Sequence, residues 1–144
     1  MAALSAARNT PERAGGVVGY PVKASVKPIQ GGIAVLSAGY AAPGTAATGL
    51  IAIGRFEETV DNTSGANGAV TAQVKRGTFK FGNSTAGDLI AQVDAGADCY
   101  IVDDQTVAKT NGTSTRSPAG IIDGVDALGV WVRFDEALTR AILS

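Results

Sequence analysis

A mainly β domain, folded as a small barrel or a sandwich, is what the amino-acid sequence predicts. Three observations carry that expectation. Apolar residues alternate with polar ones in several short runs, the period of a half-buried strand. Clusters of Gly, Asn, Asp and Ser punctuate those runs at roughly the spacing of a small all-β domain. Composition agrees, since 19 glycines and only 17% charged residues describe a turn-rich chain with few charges to support surface helices. Hydrophobic residues make up 45% but aromatics only 6%, so the core is expected to consist of Val, Ile and Leu in thin layers. At 144 residues the chain suits one core with some arm at its ends.

Residues 1–16 read as an extended N-terminal arm. Ala2, Ala3, Ala6 and Ala7 favour helix, but the segment is short and stops at Asn9-Thr10-Pro11. Gly15-Gly16 supplies a flexible joint. Two readings stand side by side: a frayed terminus, and an arm that orders against a neighbouring subunit and offers Arg8 and Arg13 to it.

Residues 17–144 read as one β-rich domain. Val18, Tyr20, Val22, Ala24 and Val26 share a face, with Lys23, Ser25 and Lys27 opposite. Pro21 and Pro28 cannot donate to a ladder, so this strand belongs at an edge or in an extended arm. Gly31-Gly32 turns the chain into an apolar run from Ile33 to Leu36, which Gly39 ends, and Ala41 to Gly49 reads as a loop. Leu50 to Ile53 is apolar at every position, as in a strand covered on both sides. Phe56 and Val60 fall on one face among Arg55, Glu57 and Glu58, and the turn formers from Asp61 to Gly68 predict a hairpin connection. Val70, Ala72 and Val74 then alternate with Thr71, Gln73 and Lys75. Beyond Arg76-Gly77 the apolar phase flips to Phe79 and Phe81, which predicts a bulge or a strand break.

A short helix is expected near 85–95, capped by Ser84 or Thr85 and carrying Leu89, Ile90 and Val93. Tyr100 to Val102 and Thr106 to Ala108 read as strands about the turn Asp103-Asp104, and Asn111 to Pro118 as an exposed loop. Two late strands, Gly120–Ile122 and Gly129–Phe134, are separated by Asp123-Gly124 and Asp126. Asp135 can cap a terminal helix from Glu136 to Leu143, with Leu138 and Ile142 on one face. The total is about eight short strands, and no repeat of solenoid length is visible.

Reactive chemistry is scarce. The chain has no histidine, which removes the commonest general base and the commonest transition-metal ligand. With one cysteine and no histidine, a Cys/His zinc site, a Cys–His dyad and a Ser-His-Asp triad are excluded. Neither a phosphate-binding glycine loop nor a dinucleotide fingerprint is present. Glu57-Glu58, Asp103-Asp104 and Asp123 with Asp126 could in principle pair for glycosidase chemistry. Adjacent acids on a strand point to opposite sides, however, so solvated turn charges are the expectation, and the spacing of an EF-hand loop is absent around Asp103. Cys99 lies in an apolar run and is expected to be a small buried hydrophobe. No enzyme, cofactor or metal site is therefore expected.

Net charge is −1, with a pI near 5.3, so no basic field exists to hold nucleic-acid phosphates. Near-neutrality favours self-association, which would suit a lattice protein, and the composition fits an ordinary acidic cytoplasmic protein equally well. No apolar stretch approaches the roughly 20 residues that span a bilayer. The first residues lack the apolar segment of a signal peptide, so synthesis as a soluble cytoplasmic protein is expected.

One face is informative. If Val130, Val132 and Phe134 point inward, then Trp131, the only tryptophan, and Arg133 point out. Trp and Arg are the residues most enriched at interface hot spots. Trp131 and Arg133 are thus candidate subunit-interface residues, beside the alternative that the chain's own arm or loops cover the indole. A glycan-binding β module, with Trp131 stacking on sugar, is the competing functional reading.

Several strand and turn words also carry a family likeness. They are Gly39-Tyr40-Ala41-Ala42-Pro43-Gly44, Gly54-Arg55-Phe56-Glu57-Glu58-Thr59-Val60-Asp61-Asn62, Lys75-Arg76-Gly77-Thr78-Phe79 with Asn83-Ser84, and the run from Cys99 to Ala108. Ala119-Gly120 and Gly129-Val130-Trp131-Val132-Arg133-Phe134 complete the set. Together they resemble a family of small tailed-phage head proteins, the capsid decoration or cement proteins. The likeness spans roughly Val17 to Phe134 and rests on no catalytic signature. It implies a β-barrel-like domain on the outer face of an icosahedral shell, commonly a trimer at local three-fold positions. It further implies the major capsid protein as partner, a role in strengthening the virion shell, and an N-terminal extension that reaches a neighbour. No site residues carry over from the family.

Overall fold

The structure, a computed structural model, describes residues 2–9 and 15–143. Residues 2–9 are exposed and carry no regular element. Ten strands follow: β1 Val17–Pro21, β2 Ile33–Ser37, β3 Tyr40–Pro43, β4 Ile51–Phe56, β5 Thr71–Lys75, β6 Thr78–Phe81, β7 Asp98–Ile101, β8 Val107–Ala108, β9 Pro118–Asp126 and β10 Gly129–Arg133. Helix α1, Glu136–Leu143, closes the order. The strands form two antiparallel five-stranded sheets, β1-β5-β4-β2-β3 and β6-β10-β9-β7-β8. The arrangement is sandwich-like and not a closed barrel, because one isolated parallel bridge is all that ties the outer strands of each sheet, Val22 to Ala41 and Gly82 to Thr106.

Local chemistry explains most of the strands. β1 sits at a sheet edge, where Pro21 interrupts no ladder. In β5, Ala72 and Val74 are buried while Thr71, Gln73 and Lys75 are exposed, the alternation expected from the sequence. At Arg76-Gly77 the apolar phase flips because the chain leaves the first sheet and enters the second. β4 is covered on both faces: Ile53 and Phe56 belong to one apolar cluster, and Ala52 belongs to the other. Asp135 caps α1 by accepting the Leu138 N–H at 3.1 Å, and Glu136 bonds Arg76 at 2.8 Å.

Three expectations are corrected. Tyr40–Pro43 is a strand and not a loop, because Ala38 and Gly39 adopt positive φ (51° and 88°) and fold β2 back onto β3. Its alanines are small enough to be buried in the sheet. Asp123-Gly124 lies inside β9, and the turn comes later, where Asp126 Oδ1 accepts the N–H groups of Leu128 and Gly129. The segment near 85–95 forms two 3-10 turns, Ala86–Asp88 and Gln92–Asp94, in place of a helix. Only Ile90 has a core to enter; Leu89 and Val93 are 48% and 88% exposed, so no apolar face supports a helix there. The Asn83 side chain holds Ile90 in place, accepting its N–H and donating to its carbonyl.

Two apolar clusters fill the molecule. One lies within the first sheet and its connections: Val22, Ala34, Ala41, Ile53, Phe56, Ala72 and Val74. The other joins the second sheet to the opposite face of the first, from Ile33, Val35 and Ala52 to Cys99, Ile122, Val130 and Val132.

Candidate functional site

The alternation in β10 turns its tryptophan outward. Val130 and Val132 are fully buried and Phe134 nearly so, which leaves Trp131 41% exposed and Arg133 exposed on the outer face of the second sheet. The cross-strand neighbours define the surroundings of the indole. Opposite Trp131 on β6 stands Lys80, whose ammonium lies 5.0 Å from the ring centroid. Lys80 also pairs with Asp126 at 2.7 Å, and this bond is the main cause holding the Asp126 carboxyl below its ordinary range. On the other side, Trp131 is opposite Gly124 in β9, and nothing lies within 4 Å of where a Gly124 side chain would begin. The indole therefore has a cation on one flank and an open notch on the other. At the tip of the same hairpin, Leu128 is 82% exposed.

The other candidates fall elsewhere. Arg133 is beside Thr78 and Ile121 in the ladder. Arg8 lies in the exposed 2–9 stretch, and Arg13 lies outside the described residues. Lys80, Gly124 and Asp126 were not legible as site residues, because their meeting with Trp131 depends on cross-strand register.

Several of the paired acids have structural partners. Glu57 makes a two-pronged bond to Arg55, Glu58 accepts the Gln73 N–H, and Asp103 accepts the Gln105 N–H in a tight turn. Arg55 in turn stacks its guanidinium 4.1 Å from the Phe79 ring centroid. Cys99 is fully buried, and desolvation pushes its thiol up to about 12, so the nucleophilic thiolate is suppressed. The Tyr100 hydroxyl donates to Asp98 at 2.7 Å, which pushes its pKa up to about 12. Among the described residues no helix is long and apolar enough to cross a membrane.

The fold and this face together define a sandwich-like β protein with an outward aromatic-cationic surface. No protein-family model matches the chain, and no curated protein or solved structure matches it either.

Proposed function

We propose that the chain is a structural decoration protein of a tailed-phage capsid, binding the outer face of the major capsid shell as a trimer and stabilising it. The observation that carries the reading is Trp131, held outward beside Lys80 with an open notch at Gly124. An exposed indole is a residue type enriched at interface hot spots, and the notch can accept a side chain from a partner. The likeness of the strand and turn words to cement proteins supplies the identity of that partner. The mechanism needs no catalytic step. Contacts made only in the assembled shell stabilise it by mass action, and a trimer multiplies weak contacts through effective concentration. On this reading the protein is made in the host bacterial cytoplasm and works on the virion exterior.

The test is rebinding to phage heads that lack the protein. Added protein should sediment with such heads and raise their resistance to heat, and Trp131→Ala should weaken binding by about thirtyfold or more, the effect of a hot-spot residue. Failure of the unaltered protein to bind heads would overturn the proposal. A glycan-binding module draws on the same exposed indole; a glycan array whose signal disappears with Trp131→Ala would favour it instead.

A further inference from the structure

We infer that the chain is one five-stranded unit built twice, over residues 17–75 and 78–133, stacked head to tail so that the first unit closes the core of the second. Adding five to every strand number of the first sheet, β1-β5-β4-β2-β3, gives the order of the second. The likeness extends below topology. Phe56 pairs with Val74 and Arg55 with Lys75, as Ile122 pairs with Val132 and Ile121 with Arg133. The second strand of each unit slips register at the same point, between Ala34 and Val35 and between Cys99 and Tyr100.

Backbone detail repeats as well. A side chain at Gly54 would collide with the Lys75 carbonyl, and one at the matching Gly120 with the Arg133 carbonyl. The Gly31 N–H donates to Phe56 and the Phe56 N–H to Gly32, at 2.8 and 2.9 Å. The Gly96 N–H donates to Ile122 and the Ile122 N–H to Ala97, both at 2.8 Å. Gly31 and Gly96 share a left-handed φ, 89° and 92°. Sheet topology alone dictates neither the bulges nor these close approaches.

The stacking direction follows from which faces are buried. Ala34, Ala41, Ile53, Phe56 and Val74 line the first unit's core, and the matching Cys99, Val107, Ala119, Ile122 and Val132 line the second's. The lids differ. The first core is covered by its own connections, through Val26, Val60 and Val70. Those connections are laced by bonds from the N–H groups of Val60, Asn62 and Ser25 to the carbonyls of Pro28, Val26 and Asn62. The second core is covered by the outer face of the first unit: Ile33, Val35, Ala42, Leu50 and Ala52. Val35 and Ala52 correspond to Tyr100 and Pro118, which share a cleft with Ile142 of α1. The helix is not confined to that end: it packs against β4 of the first unit as well as β9 of the second, and Glu136 holds Arg76 at the joint.

Support consequently runs one way. The second unit needs the first to exclude water from its core, whereas the first retains its own core if the second opens. This dependence holds whatever the chain binds. Native-state hydrogen exchange on the full chain tests it, using the equivalent amides of Phe56 and Ile122, both hydrogen-bonded. With rising denaturant, Ile122 should exchange through a partly open form in which Phe56 remains protected. Val132→Ala should speed exchange of Ile122 by about ten- to a hundredfold and leave Phe56 within about twofold, while the equivalent Val74→Ala should speed both. Should Val132→Ala not fold, labelling of the Cys99 thiol in the unaltered protein reads the same opening and should outpace Phe56 exchange. Equal acceleration of both amides by Val132→Ala, or protection of Ile122 that outlasts that of Phe56, would overturn the inference.

Discussion

Gln73 and Trp131 occupy the same place in the two units, the middle of the fifth strand, facing out. Around them the first unit has Gly19 and Lys75, where the second has Lys80 and Arg133. Inside, the same comparison gives Val74 against Val132, Phe56 against Ile122 and Ala34 against Cys99, each buried. The framework keeps its apolar positions and its clash-limited glycines, and the outward positions diverge. One unit builds this fold with a glutamine at the site, so the fold itself does not require an indole there. That contrast separates what Trp131 does from what holds the sandwich together.

Four experiments would break or sharpen the contrast. The largest effect is expected at the paired glycines. Gly54→Ala and Gly120→Ala each drive a methyl into a backbone carbonyl, and each should cost at least about 3 kcal/mol in denaturant unfolding. A mild effect at either site would break the equivalence. Next comes Asn62, which has no counterpart because the β9–β10 turn is short. Its amide donates to the carbonyls of Val22, Lys23 and Ala66, so Asn62→Ala should cost about 2–3 kcal/mol. Asn83→Ala, which loosens a half-buried segment of the second unit, should cost only about 1 kcal/mol.

The third experiment uses the Ala34/Cys99 pair. Burial raises the Cys99 pKa from 9.0 to about 12, so the folded state holds the proton that the unfolded state releases. Stability from this group is complete below pH 9 and falls as pH rises towards 12. At pH 10.5 the loss should be about 2 kcal/mol, and Cys99→Ala should abolish that part of the alkaline decline. The smallest effect on stability is expected from Trp131→Gln, which installs the residue of the first unit. Unfolding should shift by less than about 0.5 kcal/mol, while the proposed head binding should weaken by about thirtyfold or more. A large loss of stability would mean that the indole serves the fold.

Much of the architecture was legible in the sequence where one physical rule dominated. Pro21 pointed to an edge, the phase flip at Arg76-Gly77 pointed to a bulge or break, which is where the chain changes sheets, and the alternation through β10 turned Trp131 outward. Elsewhere tertiary context overrode local signals. Ala41-Ala42-Pro43-Gly44 has a loop's composition but is buried against β2. Asp123-Gly124 has turn chemistry but is held in β9, opposite β10. Leu89, Ile90 and Val93 have helical spacing, yet a single residue faces a core. The duplication leaves little trace in the sequence, because beyond a few identical pairs such as Gly54/Gly120 and Val74/Val132 the matching positions share burial and not residue type, as with Phe56 and Ile122 or Ala34 and Cys99. The surroundings of Trp131 were equally hidden, since Lys80 and Gly124 reach it only across strands.

The joint at Arg76-Gly77 has a further consequence during synthesis. Every strand of the first sheet lies before that joint, so its ladder can close while the later residues are still being made. The remaining chain then emerges beside a finished apolar surface, a template already waiting for it. Birth order on the ribosome thereby matches the direction in which one half leans on the other.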